Sequence, residues 1–207
     1  MSPENPSPEG RVDEARARVA RARRVVVKVG TNVVMRDDGA LALGRLYGLI
    51  EAVAAERRAG REMVVVSSGA VGLGAQRLGL AGRPKTLALK QACAAVGQGR
   101  LMSVWSEAFE KVGVTAAQVL LTEDDFSSRA RYLALRATLE ELLSLGVVPV
   151  LNENDTVGTA ELEAAAGHVF GDNDKLSALV ASKVGADLLV ILSDVDANRQ
   201  ETERLKL

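Results

Sequence analysis

The stretch VVVKVG, from Val25 to Gly30, places four valines around one lysine and closes on a glycine. β-Branched residues favour strands, and an unbroken apolar run is typical of a strand that is covered on both faces. The stretch therefore predicts a buried strand with Lys28 inside it. Because a buried ammonium group needs an anionic partner or an anionic ligand, Lys28 is the first candidate functional residue. The alternative is a lysine that reaches solvent from an edge strand.

Strand-like and helix-like segments alternate along the rest of the chain. Apolar runs similar to the first recur four times, and between them leucines and valines stand at the spacing of one helix face. Alternating elements with nearly continuous apolar strands predict an α/β fold, in which a mostly parallel sheet is sandwiched between helices. The further strands are predicted at 63–67, 114–121, 147–151 and 188–192, and the helices at 41–58, 86–112, 129–145 and 173–184.

The residues after each predicted strand are small, polar or acidic. Ligands of open parallel sheets bind at the carboxyl ends of the strands, so these residues are expected to converge on one binding edge. The segment 156–171, after the fourth strand, is weakly patterned and is predicted to be a mobile loop. The five strands are followed in turn by Gly30-Thr31-Asn32, Ser67-Ser68-Gly69, Thr122-Glu123-Asp124-Asp125, Asn152-Glu153-Asn154-Asp155 and Ser193-Asp194.

Two of these strand ends favour an anionic ligand. Gly30 and Thr31 allow close approach of the backbone and supply a hydroxyl group beside Lys28, a combination that suits phosphate. Ser68 and Gly69 stand where a strand turns into a helix, and free backbone N–H groups at a helix start favour a phosphate or a carboxylate. The alternative for Ser68 is a plain N-cap.

A cluster of carboxylates and an amide opens the last predicted helix, in the stretch GDNDKLSALVA. Asp172, Asn173 and Asp174 belong to it, and Asp155 repeats the theme at the end of the fourth strand. Such groups suit an ammonium group or a polar ligand, and a carboxylate can also orient a lysine or hold Mg²⁺ through water. The alternative is that Asp172 caps the helix and Asp174 complements its dipole.

Several other site chemistries lack their motifs. The chain has no G-x-x-x-x-G-K-[ST], and GLGAQR and GQGRLM lack the last glycine of a dinucleotide fingerprint. Ser68, Asp155 and the lone His168 occur in hydrolase order but without a G-x-S-x-G elbow. One histidine with one cysteine, Cys93, cannot make a usual zinc set, so we expect no metal site built from protein ligands.

Composition narrows the class of protein further. The chain has 207 residues, 47% of them hydrophobic, and a formal net charge of −1. One domain of that size buries a real core, and no global basic field favours nucleic acid. No apolar run reaches the ~18 residues of a membrane span, and a single cysteine fits the reducing cytoplasm. Residues 1–23 are Pro/Ser-rich and then arginine-rich, and they are expected to form a disordered or loosely helical tail.

Seven stretches, in their order and spacing, resemble the amino-acid kinase family. Within that family they are most similar to the glutamate 5-kinase branch, as the free enzyme or as the kinase part of a pyrroline-carboxylate synthase. The resemblance spans residues 24–196. The stretches are VVVKVGTNVV, MVVVSSGAVGLGAQRL, KQACAAVGQGRLM, AQVLLTEDDF, VVPVLNENDTV, GDNDKLSALVA and LLVILSDVD.

The resemblance implies an enzyme that transfers a phosphoryl group from Mg-ATP to the γ-carboxylate of L-glutamate, the first step of proline biosynthesis. It implies two catalytic residues, with Lys28 facing the phosphate and Asp174 orienting lysines. It also implies proline as a feedback inhibitor and a homo-oligomeric assembly. By the same resemblance, Ser68, Gly69, Asp155 and Asn173 would bind glutamate, and Lys28, Gly30, Thr31, Ser193 and Asp194 would bind ATP.

The stretch after SDVD departs from the family pattern. The family continues with a Gly-Leu segment and a glycine-rich loop that ends in a second catalytic lysine, whereas ANRQETERLKL is polar and unlike it. We therefore expect a kinase domain at 24–196 with an incomplete nucleotide lobe, its C-terminal part missing, and a divergent tail at 197–207. The alternative function is a catalytically impaired fragment that binds glutamate or proline, or a regulatory partner of an intact kinase.

Overall fold

One sheet of five strands organises the chain. The computed structural model describes the backbone of residues 8–122, 124–157 and 172–193, and the side chains of the same ranges except residues 8–11 and 172. Within these ranges the strands are β1 (Arg24–Val29), β2 (Glu62–Val66), β3 (Ala116–Leu121), β4 (Val148–Glu153) and β5 (Leu188–Leu192). Their order across the sheet is β3-β4-β2-β1-β5, and every pairing is parallel. The first predicted strand is therefore an interior strand, between β2 and β5.

Helices connect the strands and cover both faces of the sheet. On one face, Ile50 and Trp105 pack with Val65 of β2, and on the other, Leu139 and Val180 pack with Val64. Neighbouring residues of a strand point to opposite faces, so the two valines belong to two separate cores. This confirms the predicted α/β sandwich. The helices within the described ranges are α1 (Pro8–Arg21), α2 (Thr31–Val34), α3 (Leu43–Arg58), α4 (Ala70–Arg77), α5 (Leu87–Lys111), α6 (Asp124–Ser127), α7 (Arg129–Ser144) and α8 (Asp172–Lys183).

The start of β3 differs from the prediction. The strand was expected from residue 114 but begins at Ala116. The Val114 N–H group donates to the carbonyl oxygen of Phe109, and Gly113 between them has a φ of 70°. Val114 therefore belongs to the turn that ends α5, because a left-handed glycine lets the chain fold back onto the last helical turn.

The end of β4 differs too, in a way that matters for the site. The strand was expected to stop at residue 151 but continues to Glu153. Asn152 and Glu153 pair in register with Leu120 and Leu121 of β3. The backbone pairing thus extends past the apolar run, and Asn152 is a strand residue rather than the first residue of a loop.

The ends of the predicted domain lie partly outside the described residues. Residues 8–21, in the segment expected to be disordered or loosely helical, form α1, whose described side chains are exposed. Of the predicted mobile loop 156–171, only the first two residues are described. The predicted tail 197–207 and His168 lie outside the described ranges.

Asp187 attaches β5 to β1 at the amino ends of both strands. Its Oδ2 atom accepts hydrogen bonds from the backbone N–H groups of Arg24, at 2.9 Å, and Arg23, at 2.8 Å. Both bonds hold the pKa of this carboxyl below its usual value, because they stabilise the charged form. The chain thus joins residues that are 163 positions apart in sequence.

Two glycines let α4 and α5 touch through their backbones. A Cβ atom at Gly74 would overlap the carbonyl oxygen of Cys93, and one at Gly97 would overlap the carbonyl oxygen of Ala70. These glycines belong to GLGAQR and GQGRLM, the two stretches that resemble incomplete dinucleotide fingerprints. Their observed role is close helix packing.

We predict that Gly97→Ala lowers the free energy of unfolding by about 1–3 kcal/mol, because the two helix backbones must separate. Gly99→Ala is the matched control, since nothing lies within 4 Å of the methyl group it would add. That control should raise the free energy of unfolding by about 0.5–1 kcal/mol through helix propensity. Urea unfolding measures both values, and equal effects at the two positions would contradict the proposed contact.

Candidate active site

Lys28 finds its anionic partner on α8. It lies two residues after Val26 on β1, and so faces the side of the sheet that α7 and α8 cover. Its Nζ atom is 2.7 Å from Oδ1 of Asp174, and the two side chains are 12% and 47% exposed. Since β1 pairs with β2 and β5, the alternative of a solvent-exposed lysine on an edge strand is wrong.

Gly30 provides space beside this ammonium group. A Cβ atom there would lie 3.6 Å from Lys28 Nζ and 3.2 Å from the carbonyl oxygen of Leu192. The Gly30 N–H group donates to that same carbonyl at 3.2 Å, so it is engaged in the sheet. The contribution of Gly30 is therefore the missing side chain, which leaves room for a group bound by the lysine.

Ser68 and Asn173 meet across 105 positions of sequence. The Asn173 amide donates from Nδ2 to Ser68 Oγ at 2.8 Å. Ser68 is 5% exposed. The N-cap of α4 is Gly69, with a φ of 111° and no side-chain cap bond, so the alternative of Ser68 as a plain N-cap is wrong. The glycine permits the left-handed turn that directs Ser68 toward α8.

A cavity of about 1020 Å³ opens at the carboxyl ends of the strands. Four residues that the sequence predicted for the site line it: Thr31, Gly69, Asp155 and Asn173. Ser68 bonds to Asn173 of this wall, and Lys28 pairs with Asp174, the next residue of α8. The four predicted lining residues thus share one concave surface, whereas Lys28, Gly30, Ser68 and Asp174 are not among the residues that line it.

Three residues that the sequence singled out are not seen at the cavity. Ser193 is exposed and follows β5, on the far side of β1 from the cavity, which it does not line. Asp194 lies outside the described residues. The side chain of Asp172 does so as well, so its predicted capping role stays a prediction.

Asn152 and Gln98 are polar residues of the site that sequence reasoning did not select. Asn152 is 2% exposed, lines the cavity and donates from Nδ2 to Gln98 Oε1 at 2.7 Å. Among the described residues, its Oδ1 atom has no hydrogen-bond partner, and the same holds for Oδ1 of Asn173. The signal for Asn152 was its place among the strand-end residues, whereas Gln98 stands on a helix with no motif to mark it.

A second polar contact anchors α5 to the end of β2. Trp105 donates from Nε1 to Ser67 Oγ at 2.8 Å, and both residues are fully buried. Trp105 follows Gln98 by seven positions, about two helical turns, so the two side chains leave one face of α5. That face supplies partners to the ends of two neighbouring strands, β2 and β4.

The described part of the chain contains neither a cluster of metal ligands nor a membrane-spanning helix. There, no group of three or more His, Cys, Asp and Glu side chains is arranged to hold a metal ion. No helix within the described ranges combines the length and the apolar character needed to cross a bilayer.

Comparisons with family models and with curated proteins agree on one family. A model of the amino acid kinase family matches residues 23–197. Similar curated proteins are the glutamate 5-kinases of Thermus thermophilus, 54% identical over 180 residues, and Methanococcoides burtonii, 47% identical over 175 residues. These alignments cover 87% and 84% of this chain but 47% and 46% of the relatives. The chain thus spans about half the length of the curated relatives it matches.

We predict that Asp174→Ala lowers the free energy of unfolding by about 1–3 kcal/mol, because it leaves the largely buried Lys28 ammonium without its carboxylate. Lys28→Met should change it by less than about 1 kcal/mol, since an apolar side chain fits an apolar strand. In the double variant, the loss caused by Asp174→Ala should mostly disappear. Urea unfolding measures all three, with Asp37→Ala, an exposed aspartate, as control.

If Asp174→Ala and the double variant lost the same amount of stability, the unpaired lysine would not be the cause. The ion pair would then contribute nothing to the folded state beyond the packing of Asp174 itself.

Proposed function

Because this chain belongs to the amino acid kinase family, we propose that it carries out the ATP-dependent phosphorylation of L-glutamate on its γ-carboxylate. The product would be glutamyl 5-phosphate, the first intermediate of proline biosynthesis. The observation that carries the proposal is the Lys28–Asp174 pair, which stands beside a polar cavity at the carboxyl ends of a parallel sheet. The glutamate 5-kinases among its relatives support the choice of acceptor.

The cavity offers acceptors for the ammonium group of an amino acid and donors for its carboxylate. Asp155 and the amide oxygens of Asn152 and Asn173 are acceptors, which suit the ammonium group of glutamate. Ser68 and the backbone at Gly69, next to the first turn of α4, suit a carboxylate. We assign Ser68, Gly69, Asp155 and Asn173 to the glutamate site on this basis.

Lys28 is the residue that we assign to the transferring phosphoryl group. Phosphoryl transfer depends on positioning and on neutralising negative charge, and it needs no covalent nucleophile. An ammonium group has three N–H donors, so the ion pair with Asp174 leaves donors for phosphate oxygens. Asp174 then acts on the lysine, by holding its ammonium group at the carboxyl end of β1.

The proposed ATP site is the space around Lys28. Gly30 leaves room next to the ammonium group, and Thr31 offers a hydroxyl group at the start of α2. We assign both to the phosphates, and Ser193 and Asp194 to the rest of the nucleotide. Mg²⁺ would be bound mainly through the ATP phosphates, since the carboxylate nearest to Lys28 is engaged with the lysine.

Three further assignments follow from the family. Proline, as the end product, would act as a feedback inhibitor. The assembly would be a homo-oligomer, and the reaction would take place in the cytoplasm. The last is compatible with the only thiol of the chain, Cys93, which is buried and free.

Coupled measurement of ADP release with L-glutamate and Mg-ATP tests the function. It should be run on this chain and, since the relatives are about twice as long, on any longer product of the same gene. Release should depend on glutamate and should not occur with aspartate, acetylglutamate or UMP. Release with one of those three instead would assign a different acceptor.

Calorimetry with glutamate, glutamine and proline separates catalysis from binding alone. Tight binding of glutamate or proline without ADP release from either protein would favour a non-catalytic binding module. Neither binding nor release would reject both functions.

We predict that Lys28→Ala lowers glutamate-dependent turnover by about 100-fold or more, because it removes a charge that stabilises the transferring group. The dissociation constant of glutamate should change by less than about threefold, a small fraction of that effect. Lys111→Ala, an exposed lysine at the far end of α5, is the matched control and should leave both quantities unchanged. Equal losses of turnover and of glutamate affinity would argue against a role at the phosphate.

A further inference from the structure

The two ends of the Asn152 amide have different surroundings. Nδ2 donates to Gln98 Oε1 at 2.7 Å, whereas Oδ1 has no partner among the residues that the structure describes. Asn152 is 2% exposed and lines the cavity. A buried amide oxygen without a hydrogen bond is unfavourable, so its presence at a cavity wall indicates a ligand that donates a hydrogen bond.

In the structure, Gln98 presents Oε1 to Asn152, and this hydrogen bond places the NH₂ group of Asn152 on the side of Gln98. The oxygen and the NH₂ group of an amide are similar in size, so packing alone does not distinguish its two orientations. An acceptor at Gln98 requires the NH₂ group of Asn152 on that side. Without the acceptor, the amide can turn over and present its NH₂ group, which would repel an ammonium group.

Gln98 is well placed to act as a reference point, because α5 is anchored on both sides of it. Gly97, the preceding residue, lies directly against the backbone of α4 at Ala70. Trp105, on the same face of α5, bonds to Ser67 at the end of β2. These two contacts therefore fix the position of Gln98 relative to the strand ends and to the first turn of α4.

Other hydrogen-bond acceptors line the same cavity as the Asn152 amide that Gln98 orients. Asn173 also lines the cavity, with its Nδ2 donating to Ser68 and its Oδ1 without a partner in the described part of the chain. The carboxylate of Asp155 lines the cavity as well. The unpartnered Oδ1 atoms of Asn152 and Asn173, together with the Asp155 carboxylate, are acceptors around one space, and they match the three N–H donors of an ammonium group.

We propose that Gln98 is a positioning residue of this site. It holds the Asn152 amide with the oxygen toward the cavity, and that oxygen accepts a hydrogen bond from the α-ammonium group of the substrate. Gln98 thereby contributes to the selection of an amino acid over a dicarboxylate that lacks the amino group. The identity of the substrate rests on the proposed function.

The test compares two variants and two ligands. Gln98→Met removes the acceptor at similar size, and Gln98→Glu keeps it, because an ionised carboxylate can only accept a hydrogen bond from Asn152. Binding of L-glutamate and of glutarate, which lacks the ammonium group, is followed by ¹⁵N–¹H NMR titration of the chain. Gln118→Met, the same substitution at an exposed position of β3, is the control.

Gln98→Met should weaken L-glutamate binding about tenfold, the loss expected for one good hydrogen bond, and should leave glutarate binding within about twofold. Gln98→Glu and Gln118→Met should keep the preference of the parent chain for glutamate. In the ligand-free Gln98→Met protein, the side-chain NH₂ signal of Asn152 should shift, which reports the lost bond directly.

Three results would overturn the inference. If Gln98→Met weakened the binding of both ligands equally, Gln98 would support the fold rather than the recognition of the ammonium group. If it left glutamate binding unchanged, the orientation of Asn152 would not matter. If the parent chain bound neither ligand, the proposed function itself would fail and this inference with it, an outcome that the parent titration alone identifies.

Discussion

A charged lysine inside an interior strand is the constraint on which the rest of the site depends. The Lys28 ammonium cannot stay in an apolar layer alone, so the start of α8 must lie against β1 and supply Asp174. That placement brings the preceding residue, Asn173, to Ser68 at the end of β2. One electrostatic requirement thus sets the position of a helix, and the helix brings residues of distant segments into one cavity.

Much of this arrangement was accessible from the sequence. The unbroken valine runs predicted buried parallel strands, and the polar residues after them predicted the edge that Thr31, Gly69 and Asp155 line. Both inferences rest on local patterns, which periodicity and strand-end composition report reliably. Burial alone predicted that Lys28 needs an anionic partner or ligand, whereas the role of Asp174 in orienting lysines was implied only by the resemblance to the family.

The contacts that the sequence did not predict are those between segments far apart in the chain. The bond from Asn152 to Gln98 spans 54 positions, and the bond from Trp105 to Ser67 spans 38. No local pattern encodes them, because they depend on how close α5 lies to the sheet. The position of α5 depends in part on its backbone contact with α4 at Gly74 and Gly97, and a glycine carries no side chain from which its packing partner could be inferred.

The bonds from Asp187 to Arg23 and Arg24 show how late the sheet can be completed during synthesis. β1 is made before its neighbour β5, which follows some 163 positions later. At a translation rate of about 5–20 residues per second, one side of β1 stays without its native partner for roughly 10–30 s. During that interval a valine-rich strand edge is open to pairing with other nascent chains, so the yield of folded protein depends on what shields β1 while the ribosome is still at work.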